Sequence, residues 1–370
     1  MMAGKTTVHI LTPGFSTPNG RAFLYPLVRF RTAIENYGVH IRFFASIAPE
    51  LGDCDTLIFD SKFFRNAWGA EKQRTMDLFA SFREKTGRFF FFDIGDSASW
   101  LIDGALPSVD AYFKSQLLRD RSLYARPLYG RRLYTDFYHS TAGVTDDNPV
   151  GSEAQVRDTA LLSKLRVSWN SGLADYSLAG PFRMALYNHL PLASLLRAPG
   201  GWARPDAARS IPVSCRMGIS YERATVRWQR ERIRELLKSY METSKLSRRA
   251  YLGELAQSRV VVSPFGLGEI TLKDFEVFLA GATLLKPDMS HVETWPALFE
   301  AGQTMFSHRW DLSDLKAIID EILDSPGRAV EIARNGQECY RRHVAGPESA
   351  DIFAQYFTAI VRADMRGART

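Results

Sequence analysis

The residues best suited to chemistry gather in 263–286, SPFGLGEITLKDFEVFLAGATLLK. A β-rich run passes through two glycines, Gly266 and Gly268, and an acid, Glu269, into a helical pattern. Wound at 100° per residue, Leu272, Phe275 and Leu279 share a face. Glu276 lies about 40° from Leu272, inside that apolar stripe. Thr271 with Asp274 three residues on predicts a capping box, and Gly281 a left-handed residue closing the helix. A buried carboxylate without a partner costs several kcal/mol, so Glu276 needs one. Two are open: Lys273, one turn back on the same helix, or hydroxyl groups of a ligand in a cleft. In the second case Lys273, in the first turn where the helix dipole is positive, would help neutralise a phosphate. The helix starts just beyond the carboxyl end of a strand, the edge where open parallel sheets bind ligands, which favours the second reading.

Asp93 and Asp96, in FFFFDIGDS (89–97), also follow a strand. Either could act as the general base that deprotonates an acceptor hydroxyl, or simply cap the next element. Asp60, ending TLIFD, is placed similarly. Asp53-Cys54-Asp55 has the D-x-D form of a manganese site, but it precedes a strand, and no metal is expected. PGFSTPNG (13–20) fills the first strand–helix turn without a P-loop or G-x-G-x-x-G pattern. FGLGEI fails that fingerprint too, because Thr271 stands where its third glycine belongs. His291 and Glu293, after Pro287-Asp288, read either as ligand contacts or as caps. Trp169-Asn170-Ser171-Gly172 is a candidate lining for an acceptor cleft. The stretch 114–134 interleaves Lys114, Arg119, Arg121, Arg126, Arg131 and Arg132 with tyrosines. It is read as an amphipathic helix and loop with a solvated basic face, an anionic acceptor or a membrane surface being the alternatives.

Positioning these groups takes a large scaffold, and 370 residues are about right for two domains. Apolar strands at 7–11, 39–45, 56–60 and 88–94 alternate with helices, which predicts a parallel sheet covered on both faces. LRAPGGWARPDAARS (196–210) is the linker candidate. A second series follows, with strands at 211–215, 258–264, 282–286 and 304–308, helices at 313–324 and 328–342, and a last amphipathic helix. The expected division is 1–205, 206–345 and a terminal helix in 346–370 that packs on the first domain. A net charge of +6 favours phosphate-bearing ligands without being a nucleic-acid signature. Three distant cysteines make neither a disulfide framework nor a zinc site. With no secretory pattern and no apolar run of bilayer length, a cytoplasmic protein is expected, peripheral contact with the inner membrane face remaining open.

The run SPFGLGEITLKDFEVFLAGATLLKPD, continued by HVETWPALFEAGQTMFSHRWDLSDLKAIIDEILDSPGRAVEIARNGQECY, resembles the donor-binding domain of GT-B glycosyltransferases. It is most similar to the group 1, CgeB-like branch with a T-x-[RK]-x-F-E pattern. The resemblance covers roughly 210–345. It implies two Rossmann-like α/β domains facing across a cleft and transfer of a sugar from a nucleoside diphosphate to a hydroxyl acceptor (a glycan, a lipid-linked group or a protein), without metal or cofactor. It further implies that Glu276 binds the ribose hydroxyls and that Lys273 and Arg216 lie by the diphosphate. Gly266 and Gly268 would let the backbone approach the ligand, beside Glu269 and Thr271. Gly268 stands where retaining members carry an acid, so the stereochemical outcome is not implied. A 2-epimerase of the same fold, or a carbohydrate- or partner-binding protein that kept it, are the rival readings.

Overall fold

The computed structural model describes residues 5–69, 71–240 and 244–363. Its strands are β1 (Thr6–Leu11), β2 (Val39–Phe44), β3 (Thr56–Asp60), β4 (Arg88–Asp93), β5 (Ala111–Lys114), β6 (Gln116–Leu118) and β7 (Leu165–Val167). They continue with β8 (Ile211–Ser214), β9 (Ser258–Val262), β10 (Thr283–Pro287), β11 (Val292–Thr294) and β12 (Phe306–His308). The first sheet runs β2-β1-β3-β4-β5-β7 and the second β12-β10-β9-β8, every neighbouring pair parallel. These are two α/β units with Rossmann-like sheets, facing across a cleft. Continuous apolar runs such as RFFFFD make sense here, because helices cover both faces of each sheet. Phe89, Phe90, Phe91 and Phe92 are fully buried, and Phe59 meets Phe79, Phe82 and Phe89 edge to face.

The last helix, Ser349–Arg362, crosses back to the first sheet. The Thr56 hydroxyl donates to the Val361 carbonyl (3.0 Å), the Arg362 guanidinium to the Tyr37 carbonyl (2.7 Å), and Phe353 lies edge-on to Trp169. A second bridge is the antiparallel pair β6–β11, one strand from each half of the chain. The stretch 196–210 is bound down rather than free. Arg209 donates to the carbonyls of Ala256, Ala280 and Gly281, and Trp202 packs on Tyr340.

The interleaved Arg/Tyr stretch departs from expectation. Instead of a helix with a solvated face, it contributes β5 inside the first sheet, then β6, short 3₁₀ turns and the helix Leu133–Ala142. Its tyrosines 112, 124 and 134 are buried, and Lys114 is fully buried. The tyrosine hydroxyls find partners inside, which lets an aromatic with a polar tip sit in a core. Tyr112 donates to Asp93 and Tyr124 to the Ala98 carbonyl. Arg119 points into the other half of the chain, reaching the Ser290 carbonyl.

Candidate functional site

The cleft between the carboxyl edges of the two sheets holds a cavity of about 330 Å³. One wall comes from the first turn of the helix Pro18–Arg29, the loop after β4 and the Trp169–Ser171 loop. The other comes from Tyr221, Arg230 and the 266–272 segment. Trp169 and Asn170, expected only from their unusual chemistry, do line it.

The glycine loop after β9 is clamped by the first unit. Tyr134 donates to the Gly266 carbonyl (2.8 Å), Arg132 to the Leu267 carbonyl (2.9 Å), and the Glu269 carboxylate accepts from the Ala98 N–H (2.8 Å). Glu269 is fully buried, and burial pushes its pKa above the ordinary carboxylate value. Its role in the structure is to hold the two halves together. Gly268 explains why no acid stands at its position. A Cβ there would fall inside the van der Waals envelope of the Asp96 carbonyl, so the backbones of the two units meet where only glycine fits.

Arg230, on the helix Ala224–Leu237, supplies the cavity's cation. It is 7 % exposed, donates to the carbonyls of Phe265 and Gly218 (both 2.9 Å) and lies over the Tyr221 ring. Among the described residues no carboxylate pairs with it. Burial lowers its pKa, the usual direction for a desolvated cation. The sequence reading passed over this residue. Val226, Gln229, Arg230, Ile233 and Leu237 are all buried, so the winding applied to Glu276 would have placed Arg230 on the inner stripe as well.

Of the two acids expected after β4, Asp96 opens on the cavity and Asp93 does not. Asp93 is buried, pairs with Lys114 at 2.8 Å, and accepts from the Tyr112 hydroxyl and the Gly95 N–H. A carboxylate committed to a hydroxyl, a backbone N–H and a buried ammonium is a structural brace, not a free base. Asp96 is exposed. Its Oδ1 accepts from the Asn19 amide (2.8 Å), which also donates to the Ile94 carbonyl. Asp60 is buried under the Thr12 hydroxyl and the Lys62 N–H, and its pKa is pushed up to about 6 by desolvation.

The helix after the loop, Leu272–Ala280, has its predicted capping box and its left-handed Gly281 (φ 59°). Its buried face is not as expected, since Leu272 is 45 % exposed while Asp274 to Ala280 are buried. Leu272 lies in the first turn at the cleft, where nothing covers it. Glu276 does not line this cleft, and its ion-pair partner is not Lys273. Arg248, on the neighbouring helix Arg248–Gln257, holds it at 2.8 Å, and Glu276 lines a separate cavity with Tyr176 and Leu178. Lys273 donates to the Arg216 carbonyl, and the Arg216 side chain pairs with Glu254 at 2.9 Å. Thr271 lines the cleft, its N–H bonded to Asp274. Asp274 in turn pairs with Lys286 at 2.9 Å, both fully buried. That pair went unread because its members lie on different elements.

Asp53 and Asp55 flank a turn, where Asp55 accepts from the Thr7 N–H (2.7 Å). Among the described residues no group of three His, Cys, Asp or Glu side chains is gathered for a metal ion, and no helix is long and apolar enough to cross a membrane. His291 is partly buried and edge-on to Trp310, 4.0 Å from Glu269, and Glu293 pairs with Arg121.

No family model matches the chain, and no curated protein does. Among solved structures the chain is similar to Anabaena HepE in complex with UDP-glucose (11 % identity, 96 % of this chain and 100 % of that one, TM-score 0.41). It is also similar to a glycosyltransferase from Rickettsia africae (8 %, 97 % and 100 %, TM-score 0.44). A third is sucrose-phosphate synthase from Thermosynechococcus elongatus (11 %, 97 % and 100 %, TM-score 0.42). Likenesses this distant carry no argument about ligand or reaction.

Proposed function

We propose that the cleft binds a nucleoside diphosphate sugar and transfers the sugar to a hydroxyl group of a glycan, a lipid-linked group or a protein, without a metal ion. The observation that carries this reading is Arg230. A nearly buried guanidinium held by carbonyls and a ring, with no carboxylate partner among the described residues, keeps its positive charge at the cavity, and an anion there gains most from it. The glycine loop and the first turn of Leu272–Ala280 border the same cavity, so backbone N–H groups and the helix dipole favour the same charge. A diphosphate answers all three.

In this reading Arg230 stabilises the charge that builds on the diphosphate as the glycosidic bond breaks. Asp96, oriented by Asn19, removes the proton from the acceptor hydroxyl. Glu276, Lys273 and Arg216 act behind the loop, holding the helix and the end of β8 in register. Glu269 keeps the donor loop docked on the first unit.

The test is release of nucleoside diphosphate from donors such as UDP-glucose, with water or an added sugar as acceptor. Asp96→Asn is expected to lower turnover by about 10²-fold or more, while UDP binds as tightly as to the unaltered protein. Unchanged turnover in Asp96→Asn would remove the proposed base. An epimerised sugar nucleotide as the product would replace transfer with the rival reaction.

A further inference from the structure

Nine large apolar side chains are exposed among the described residues, and five of them fall in two segments that touch. Four are Leu178, Phe182, Leu190 and Leu192. The fifth, Leu246, lies just before Arg248, whose guanidinium donates to the Leu178 carbonyl. The helix Gly180–Tyr187 continues through a Leu190 N–H to Leu186 carbonyl bond of 2.9 Å. Phe182, Leu186 and Leu190 therefore stand four apart along one ridge. Phe182 is 70 % exposed and Leu192, just past the ridge, 57 %. Single exposed apolar residues are ordinary, but a row of them marks a contact surface.

The charge around the ridge says what it contacts. Residues 176–205 and 244–253 contain no Asp or Glu and carry Arg183, Arg197, Arg204, Lys245, Arg248 and Arg249. The acids that face them are already engaged: Asp175 with Arg183, Asp206 with Arg204, and Glu276 with Arg248. Arg197, Lys245 and Arg249 have no carboxylate partner among the described residues. An apolar ridge among basic residues whose neighbouring acids are already paired fits a surface that is greasy and anionic at once. The ridge also starts beside the cleft, because Tyr176 lines both the cleft and the cavity that Leu178 lines, and Tyr187 packs at a tilt against Phe15 in the turn after β1.

We propose that this face seats the protein on an anionic lipid bilayer. Phe182, Leu190 and Leu192 enter the acyl boundary, and Arg197, Lys245 and Arg249 meet the headgroups. The proposal is independent of sugar transfer, although it would bring an acceptor carried in the bilayer to the mouth of the cleft.

The full chain should co-sediment with phosphatidylcholine vesicles that contain phosphatidylglycerol and far less with phosphatidylcholine alone. High salt should weaken the binding. Phe182→Asp with Leu190→Asp should reduce it by about tenfold or more at an unchanged melting temperature, since both side chains are exposed. Wild-type protein that stays in the supernatant with anionic vesicles overturns the proposal, as does a double variant that binds like the wild type. A dimer that the double variant splits, with no vesicle binding, overturns it in favour of a second copy of the chain.

Discussion

Gly268→Ala is expected to abolish most turnover while leaving each half of the chain folded. The added methyl would collide with the Asp96 carbonyl, backbone against backbone, so no rotamer change relieves it. Either the donor loop retreats or the two units separate, and both move Arg230 and Asp96 apart. A displacement of about 1 Å at reacting groups costs on the order of 10²-fold, and kcat/KM for a donor should fall at least that far. Gly266→Ala is the control, because its methyl would meet only ordinary contacts, Tyr221 Oη at 3.5 Å and an Arg230 nitrogen at 3.6 Å. Small-angle scattering should report a larger radius of gyration for Gly268→Ala than for Gly266→Ala. Equal radii and equal kcat/KM for the two variants would mean that the contact at Gly268 does not govern closure.

Asp274→Ala is expected to be the most destabilising single change at the site. Asp274 accepts from the Thr271 N–H (2.8 Å) and the Ser263 hydroxyl (2.6 Å), and it pairs with Lys286, which has no exposed surface. Removing the acid strands an ammonium in the interior, which costs about 3–5 kcal/mol, and loss of the helix cap adds about 1 kcal/mol. Denaturant unfolding should show this as a lower midpoint. Adding Lys286→Met should recover part of the loss, because an apolar side chain needs no counter-ion. If the double variant is less stable than Asp274→Ala alone, the stranded charge was not the cause.

In the Leu272–Ala280 helix the features set by local sequence are legible from it. The Thr271–Asp274 box and the left-handed Gly281 follow from residues three and ten apart in one element. Partners that come from elsewhere in the chain are not legible there. Glu276 finds Arg248, twenty-eight residues back, and no helical periodicity points across that gap. Asp93 looked like a free acid after a strand, but β5 was not read as a strand, so Lys114 could not be seen beside it. Alternating strands and helices made the second sheet and four of the six strands of the first legible. The Arg/Tyr stretch was misread because buried tyrosines and interface arginines have the composition of a solvated basic face. Gly268 was noticed only as a missing acid. The reason for it, a carbonyl from the other half of the chain, exists only after folding.

The central claim is that the Arg230 cleft is a nucleoside diphosphate site. Calorimetric titration of the protein with UDP, GDP, ADP and TDP, repeated with Arg230→Ala, tests it most directly. At least one nucleotide should bind with one-site stoichiometry, and Arg230→Ala should weaken that binding by about tenfold or more, the loss of a charge-assisted hydrogen bond. No heat with any of the four, or the same affinity in Arg230→Ala, would contradict the claim.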